Sequence, residues 1–247
     1  MTIAIIGGTG LSQMSGLTIA STQQLETPFG NPSAEYLHGN LNGKEIIFLA
    51  RHGKSHTIPP HKINYRANIW GLKELGVTEI IAVAAVGGIT SAMAPAHIVI
   101  PDQIIDYSYG REHTFFADNF EALNHIDFTF PYNVHTRKRL MRAAKENNIA
   151  VSSTATYGCT QGPRLESAAE ITRMERDGCD LVGMTGMPEA ALAKELNISY
   201  AAIAVVANWA AGKSDNEITM TEIEQYLKEG MLNVNKLLSS FLSTNIS

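Results

Sequence analysis

Two short segments of the sequence carry residue types that suit the binding of a phosphate-like anion. Arg51 and His52 follow an apolar run at residues 45–50, and an arginine at the carboxyl end of a strand can hold a phosphate through two parallel hydrogen bonds. Gly7-Gly8-Thr9-Gly10 follows the first apolar run directly, and consecutive backbone N–H groups there can hold the same kind of anion. A solvated basic loop and a tight structural turn remain the alternatives for these two segments.

Thr185 is a further candidate ligand for an anion. It follows an apolar run at residues 180–184 and precedes a predicted helix start at Pro188, and a hydroxyl at a helix N-terminus can donate to an anion. Glu189 lies in the first turn of that helix, where it either balances the helix dipole or takes part in the site. Both interpretations of Glu189 stay open from the sequence.

Two kinds of cofactor site can be weighed from the same segments. A dinucleotide-binding loop of the G-x-G-x-x-G type would need glycine at position 13, where Gln13 stands, and no acidic residue ends the next strand in the expected place. The histidines between residues 52 and 61 match no common zinc spacing, and no cysteine or carboxylate joins them. We therefore expect neither a dinucleotide nor a metal, and no other cofactor.

The elements that must position these residues alternate along the chain. Short apolar runs predict strands at residues 3–6, 45–50, 79–86, 97–105, 153–159, 180–184 and 199–207. Helical periodicity predicts helices at residues 64–75, 134–147, 167–177, 188–196 and 221–241, the last capped by Thr219 or Thr221. This alternation predicts an α/β fold, with a central mixed β-sheet flanked by helices. We expect a single domain over residues 1–247, with a lid or interface loop at residues 107–132.

Composition is that of an ordinary globular protein. Of the 247 residues, 45% are apolar and 17% are charged, and the net charge of −5 is spread without long runs. A nucleic-acid partner would need a concentrated basic face, and no apolar stretch approaches the roughly 20 residues that span a bilayer. Two isolated cysteines, Cys159 and Cys179, and a first segment typical of a buried strand favour a cytoplasmic location.

The ordered set of motifs resembles the trimeric purine nucleoside phosphorylases, and in particular their methylthioadenosine phosphorylase branch. The matching segments cover nearly the whole chain, at residues 5–11, 27–30, 50–53, 56–60, 64–70, 161–166, 183–189 and 206–211. The resemblance implies displacement of a purine from C1′ of a ribosyl group by inorganic phosphate, which is a co-substrate. Because the transition state should be oxocarbenium-like, the phosphate anion would supply both the nucleophile and electrostatic stabilisation.

The resemblance also assigns roles to individual residues around phosphate and ribose. The implied phosphate ligands are Thr9, Arg51, His52, Thr185 and the backbone near Ala84 and Ala85. Met184 would line the ribose and bind its hydroxyls through the main chain. Ala84 stands where the family often has threonine, so one hydroxyl contact to phosphate is lost while the backbone contact at Ala85 can survive. Leu165 replaces an aromatic residue that often covers the base, so we expect weaker stacking.

Hydrogen-bond polarity predicts which purine the site accepts. By resemblance, Asn208-Trp209-Ala210 lies at the base, and methylthioadenosine phosphorylases carry aspartates at the positions of Asn208 and Ala210. An ionised aspartate only accepts and would oppose a 6-oxo oxygen, whereas Asn208 can donate to O6 and accept from N7–H. Glu166 can accept from N1–H but would face the bare N1 lone pair of adenine. The site therefore predicts a 6-oxopurine, with Asn208 and His52 as the catalytic residues. Taken singly, Asn208 could be a strand-end cap, and Glu166 could be the solvated start of a helix.

The 5′ end of the sugar is the second point of specificity. Family members that act on inosine and guanosine meet the 5′-hydroxyl with a histidine near the start of the last helix, where this sequence has Met220 and Ile223. Apolar, polarizable side chains suit a methylthio group, and burying a hydroxyl without a partner would cost about 1–3 kcal/mol. Simple packing of the helix remains the alternative for both residues. His125 aligns with a residue that covers the 5′ pocket of a neighbouring subunit, which implies a homotrimer with shared sites.

The residues together predict phosphorolysis of S-methyl-5′-thioinosine to hypoxanthine and S-methyl-5-thio-α-D-ribose 1-phosphate. Within the family, the alternatives are a purine nucleoside phosphorylase acting on inosine or guanosine and a methylthioadenosine phosphorylase. The absent dinucleotide motif disfavours a dehydrogenase. Arg51, His52 and Thr185 disfavour a non-catalytic nucleoside-binding protein, because such binding needs no phosphate site. The expected partners are a purine nucleoside and phosphate, with neither nucleic acid nor membrane.

Overall fold

A mixed β-sheet forms the centre of the molecule. The computed structural model of the protein describes residues 2–8, 11, 14–117, 125–215 and 217–243. The strands are β1 (Thr2–Gly7), β2 (Leu17–Gln23), β3 (Tyr36–Leu41), β4 (Lys44–Ala50), β5 (Val77–Gly88), β6 (Ile98–Val99), β7 (Gln103–Asp106), β8 (Val151–Ser152), β9 (Thr156–Cys159), β10 (Leu181–Gly183) and β11 (Ser199–Trp209). Hydrogen bonding orders them β2-β3-β4-β1-β5-β10-β9-β7, with β11 beside β5, β6 beside β11 and β8 beside β6.

The longest buried strands run parallel and end at one edge of this sheet. β1 pairs in parallel with β4 and with β5, and β5 pairs in parallel with β11. Their register places Ile5 of β1 opposite Ile81 of β5, which in turn lies opposite Ala201 of β11. Near-continuous apolar sequences are typical of strands covered on both faces. The carboxyl ends of β1, β4, β5 and β11 therefore lie close together.

Helices cover both faces of the sheet. They are α1 (Tyr65–Glu74), α2 (Val134–Glu146), α3 (Ala168–Arg176), α4 (Glu189–Glu195) and α5 (Met220–Ser243), with a short 3₁₀ turn at Pro60–Lys62. Asn64, Asn133 and Ser167 cap α1, α2 and α3 by accepting a backbone N–H of the first turn. Thr219 does the same for α5, accepting from the backbone N of Glu222 at 3.3 Å. These side chains satisfy donors that a helix start leaves without partners.

Alternate residues of the buried strands supply two separate cores. Ile5 belongs to the core that contains Phe241 of α5, and Ile6 belongs to the core that contains Ile69 of α1. This alternation follows from the two-residue period of a strand, which directs successive side chains to opposite faces. The predicted α/β fold, with a mixed sheet flanked by helices, is confirmed.

The predicted elements differ from the observed ones mainly at the margins of the sheet. Strands β2 and β3 were not predicted, because β2 is almost entirely exposed and both carry polar residues without a clear apolar run. The single strand predicted at residues 97–105 is two strands, β6 and β7. Pro101 lies in the interruption, and proline cannot donate a ladder hydrogen bond.

The segment predicted as a lid or interface loop has neither helix nor strand in the parts that the structure describes, residues 107–117 and 125–132. Residues 118–124 of that prediction lie outside the described part. Arg111 within the segment is buried, with 8% of its surface exposed, so this end of the loop is fixed to the body of the protein. None of the described helices combines the length and apolar character needed to cross a membrane.

Candidate active site

A cavity of about 630 Å³ opens where the carboxyl ends of β1, β4, β5 and β11 meet. Open α/β sheets commonly bind ligands at this edge. β10 pairs antiparallel with the last two residues of β5, with Val182 opposite Gly87. The segment after β10 therefore runs back along the end of β5 and reaches the same cavity. The cavity collects most of the predicted site residues, namely Arg51, His52, Ala84, Ala85, Leu165, Glu166, Met184, Thr185, Asn208, Ala210 and Ile223.

Four predicted site residues are not among the residues that line this cavity. Thr9 lies outside the described residues. Trp209, the last residue of β11, lies between the lining residues Asn208 and Ala210 but does not itself line the cavity. Met220, the first residue of α5, is 67% exposed and lies one turn before the lining residue Ile223. His125 is exposed on the described surface of the chain, outside this cavity.

Arg51 lies at the end of β4, as predicted, and one side of its guanidinium is bound by the protein. Its Nε and Nη2 donate to the two carboxylate oxygens of Glu189 at 2.6 and 2.8 Å, and its Nη1 donates to the Val83 carbonyl at 3.0 Å. Tyr200 donates its hydroxyl to the same carboxylate at 2.9 Å. A guanidinium has five N–H groups, so two remain for a ligand.

The Arg51–Glu189 pair is shielded from water, with 2% and 0% of the two side chains exposed. Burial alone would lower the pKa of Arg51, but the Glu189 carboxylate raises that pKa above its ordinary value. The guanidinium therefore stays charged. Glu189 is thus more than a residue that balances the dipole of α4, because its carboxylate orients the candidate phosphate-binding arginine.

His52 is held as a neutral imidazole. Its Nδ1 lies 2.8 Å from the carbonyl oxygen of Ile58, and because a carbonyl only accepts, Nδ1 carries the hydrogen. Burial lowers the pKa of His52 to about 4, and the neighbouring charge of Arg51 acts in the same direction. Near pH 7 the other ring nitrogen, Nε2, therefore offers a lone pair. Such an acceptor suits the P–OH group of a hydrogen phosphate ion.

The end of β5 offers backbone to the same region. Val83 and Val86 are buried, whereas Ala84 between them is only partly buried and Ala85 is exposed to the cavity. Because alanine side chains are small, a ligand can approach the main chain closely here. Thr185 also lines the cavity and is buried, with 7% of its surface exposed. These residues line the same cavity as Arg51 and His52.

Two polar side chains lie at the part of the cavity assigned to the base. The Thr160 hydroxyl donates to Oε1 of Glu166 at 2.6 Å, so Glu166 keeps Oε2 as an acceptor. Nδ2 of Asn208 donates to the Trp209 carbonyl at 2.7 Å, which leaves its second N–H and its Oδ1. Ala210 beside them supplies only a methyl group to the cavity wall. One acceptor from Glu166 and a donor with an acceptor from Asn208 match the polarity of a 6-oxopurine.

Helix α5 lines the cavity with an apolar stripe and with three polar side chains, those of Glu224, Lys228 and Asn235. Ile223, Leu227 and Met231 line it at four-residue spacing, which places them on one face of the helix. Only the first of these was predicted, from its position near the helix start. The repeat of apolar residues every four positions was the signal that could have identified Leu227 and Met231 as well.

Arg111 is a site-supporting residue that the sequence did not indicate. Its guanidinium donates to the Met184 carbonyl at 2.9 Å and to the Thr160 carbonyl at 3.0 Å. Both acceptors belong to segments that flank the cavity. A single basic residue in a polar and aromatic segment carries no periodicity or motif, so no sequence signal was available for it.

Comparisons with known proteins agree with this geometry. Residues 2–243 match the Phosphorylase superfamily. A probable S-methyl-5′-thioinosine phosphorylase of Pseudomonas syringae pv. tomato is 55% identical over 242 residues, 98% of each chain. The 6-oxopurine nucleoside phosphorylase of Pyrococcus furiosus is 44% identical over 242 residues, 96% of this chain and 90% of the other. The structure of a methylthioadenosine phosphorylase from Schistosoma mansoni in complex with adenine superposes with a TM-score of 0.92 at 30% identity, over 98% of this chain and 91% of that chain. The chain therefore belongs to the phosphorylase superfamily, as a pentosyl-transferring enzyme of the purine nucleoside phosphorylase type.

Proposed function

We propose that the protein cleaves S-methyl-5′-thioinosine with inorganic phosphate, giving hypoxanthine and S-methyl-5-thio-α-D-ribose 1-phosphate in purine salvage. The observation that carries this proposal is the polarity of the base site. Glu166 offers an acceptor, Asn208 offers a donor and an acceptor, and Ala210 offers a methyl group in place of a carboxylate. The 55% identical relative carries the same activity in its name.

Phosphate acts as the nucleophile at C1′ of the ribose. Two N–H groups of Arg51, the Thr185 hydroxyl and the main chain at Ala85 hold its oxygens, and His52 accepts its P–OH hydrogen at Nε2. The anion lies below the sugar ring and stabilises the positive charge that develops on it. Phosphate is a co-substrate, and the reaction needs neither a cofactor nor a metal.

As the C1′–N9 bond breaks, its electron pair passes to the purine, and N7 takes up a proton from water, so that neutral hypoxanthine leaves. Asn208 donates to O6 and accepts from N7–H, and Glu166 accepts from N1–H. With adenine, Glu166 would face the N1 lone pair and Asn208 would face an amino group with its own donor. Each mismatched buried group costs about 1–3 kcal/mol, so two of them disfavour a 6-aminopurine by roughly 100-fold or more in kcat/KM.

The apolar stripe of α5 supports the methylthio group over a hydroxyl at the 5′ carbon. Ile223, Leu227 and Met231 form this stripe, and the polar residues of the helix that line the cavity beside it are Glu224, Lys228 and Asn235, none of which carries a hydroxyl or an imidazole. An unpaired buried 5′-hydroxyl would cost about 1–3 kcal/mol. The second candidate is a 6-oxopurine nucleoside phosphorylase acting on inosine or guanosine, which the name of the 44% identical relative favours.

Assembly and location complete the proposal. We infer a cytoplasmic homotrimer in which His125 of one subunit covers the 5′ pocket of its neighbour. The exposure of both Met220 and His125 in the single chain supports this arrangement. Light scattering in solution should give the mass of three chains. A monomer mass with full activity would exclude shared sites.

The deciding experiment compares phosphate-dependent cleavage of methylthioinosine, methylthioadenosine, inosine and guanosine by kcat/KM. Methylthioinosine should exceed methylthioadenosine by about 100-fold. Faster cleavage of methylthioadenosine would overturn the base assignment, and equal rates for inosine and methylthioinosine would overturn the 5′ assignment. Glu166→Gln should reduce the preference for methylthioinosine over methylthioadenosine, because an amide can also donate to N1 of adenine. Glu170→Gln, which removes an exposed carboxylate from the same region, is the control and should leave the preference unchanged.

A further inference from the structure

Arg111 joins the two segments that flank the base and the ribose. Residues 160–166 carry Glu166, and residues 183–187 carry Met184. The guanidinium donates to acceptors in both, at Gln161 Oε1 (3.0 Å), Thr160 O (3.0 Å), Gln161 O (2.9 Å), Met184 O (2.9 Å) and Met187 O (2.5 Å). Its Nη1 also lies 3.3 Å from the Tyr65 hydroxyl, with the guanidinium stacked over that ring at 5.5 Å.

The partners of Arg111 are uncharged oxygens. Unlike Arg51, whose guanidinium is paired with Glu189, Arg111 has no carboxylate within ion-pair distance among the described residues. It is nevertheless 92% buried, since only 8% of its surface is exposed. Burying a cation without a counter-ion is unfavourable, so its value must lie in the geometry that its hydrogen bonds impose. A planar guanidinium fixes the directions of its donors, which an ammonium group does not.

We propose that Arg111 is a positioning residue that sets the base-binding segment at a fixed distance and angle from the ribose-binding segment. Nη2 holds the carbonyls of Thr160 and Gln161, and Nη1 holds those of Met184 and Met187. The Thr160 hydroxyl in turn holds Glu166 at 2.6 Å. The orientation of the purine is thereby linked through one rigid group to the orientation of the sugar.

This role rests on the proposed phosphorolysis, because only a linked base and sugar require such alignment. Attack at C1′ needs the C1′–N9 bond to lie in line with the incoming phosphate, and a displacement of about 1 Å can cost roughly 100-fold in rate. Free hypoxanthine needs only Glu166 and Asn208, and free phosphate needs only the residues around Arg51. Loss of Arg111 should therefore affect catalysis far more than the binding of either fragment.

Arg111→Lys is the test, and Arg137→Lys is its matched control. Arg137 is also buried, with 9% of its surface exposed, and it donates to the carbonyls of Ile100, Pro101 and Ser153. None of these four residues lines the cavity. The control therefore reproduces the loss of a buried guanidinium bound to carbonyls, without touching the two segments of the site.

Three quantities are measured on the full-length wild type and both variants: kcat with methylthioinosine, the Kd of hypoxanthine alone, and the thermal shift produced by inorganic phosphate. For Arg111→Lys we expect kcat to fall about 100-fold, with the hypoxanthine Kd within about threefold of wild type and an unchanged phosphate shift. For Arg137→Lys we expect kcat within about threefold of wild type.

The positioning role is overturned if Arg111→Lys has the kcat of wild type. It is also overturned if the Kd of hypoxanthine rises by the same factor by which kcat falls, or if kcat of Arg137→Lys falls as far as that of Arg111→Lys. Should wild type cleave another of the four nucleosides faster than methylthioinosine, the proposed substrate fails, and the variant ratios are measured on that nucleoside. If Arg111→Lys does not fold by circular dichroism, Gln161→Ala removes one acceptor of the same group. It should lower kcat about tenfold with hypoxanthine binding retained, and an unchanged kcat would refute the link.

Discussion

Replacing Glu189 by glutamine tests how the buried arginine of the proposed phosphate site is held. In the native protein, two oxygens of Glu189 accept from Arg51 at 2.6 and 2.8 Å, and the Tyr200 hydroxyl donates to one of them at 2.9 Å. Glutamine keeps the shape of the side chain and one acceptor oxygen. It removes the charge that balances a guanidinium of which only 2% is exposed.

The magnitude follows from the burial of the pair. Removing one member of a buried ion pair costs about 3–5 kcal/mol, because the remaining charge is left unbalanced. For a chain of about this size, 1 kcal/mol lowers the melting temperature by roughly 2–4 °C. We therefore expect Glu189→Gln to melt roughly 6–20 °C below wild type. Phosphate should recover part of this loss, because the bound anion becomes the counter-ion of Arg51.

Melting is followed by calorimetry at one protein concentration, with and without phosphate. Glu170→Gln is the control, because Glu170 makes a similar two-point contact with Arg164 at 2.9 and 2.8 Å while 71% of the arginine and 44% of the glutamate are exposed. An exposed pair contributes at most about 1 kcal/mol. The reasoning is refuted if both variants melt within about 3 °C of wild type, or if phosphate stabilises Glu189→Gln no more than wild type.

Three further predictions concern the base and His52. Asn208→Asp combined with Ala210→Asp should raise the ratio of kcat/KM for methylthioadenosine over methylthioinosine by about tenfold or more, because carboxylates accept from a 6-amino group; an unchanged ratio would mean that Asn208 does not contact the base. Because the pKa of folded His52, about 4, lies below its ordinary value of 6.5, the unfolded chain takes up this proton first. The free energy of unfolding, measured by urea titration, should therefore fall as the pH is lowered from 6.5 to 4. This fall should be steeper in wild type than in His52→Gln, which has no imidazole at this position. Leu165→Phe should lower KM for the nucleoside about two- to tenfold through stacking, whereas a higher KM would place Leu165 away from the base.

The helices and central strands were predictable because their signals are local. Asn64, Asn133 and Ser167 stand directly before α1, α2 and α3 and cap them. The buried strands β1, β5 and β11 are apolar runs rich in β-branched residues and alanine, a pattern consistent with strands covered on both faces. Strands β2 and β3 could not be found in this way, since β2 is almost entirely exposed and β3 carries polar residues without a clear apolar run, so pairing with their neighbours gives both strands their order.

The same distinction divides the residues of the site. Arg51, His52 and Asn208 were predictable because each stands at or just after the end of an apolar strand, and the carboxyl ends of parallel strands converge. Thr185 also follows an apolar strand, but β10 reaches the cavity by pairing antiparallel with the last residues of β5. The pairing of Arg51 with Glu189 joins positions 138 residues apart. Which carboxylate meets a buried arginine depends on how α4 packs against the sheet, and no spacing along the chain encodes that contact.

These supporting contacts determine what charge the incoming phosphate meets. Glu189 balances the charge of Arg51, and His52 is neutral above about pH 4 because burial lowers its pKa. In the proposed mechanism, phosphate is therefore held mainly by directed hydrogen bonds from Arg51, Thr185 and the main chain, and not by an excess of positive charge. An anion held in this way keeps most of its own negative charge, which is the charge that must stabilise the oxocarbenium-like sugar. A site with an unbalanced arginine and a protonated histidine would bind phosphate more tightly, but it would bind the ground state more strongly than the transition state and so slow the reaction.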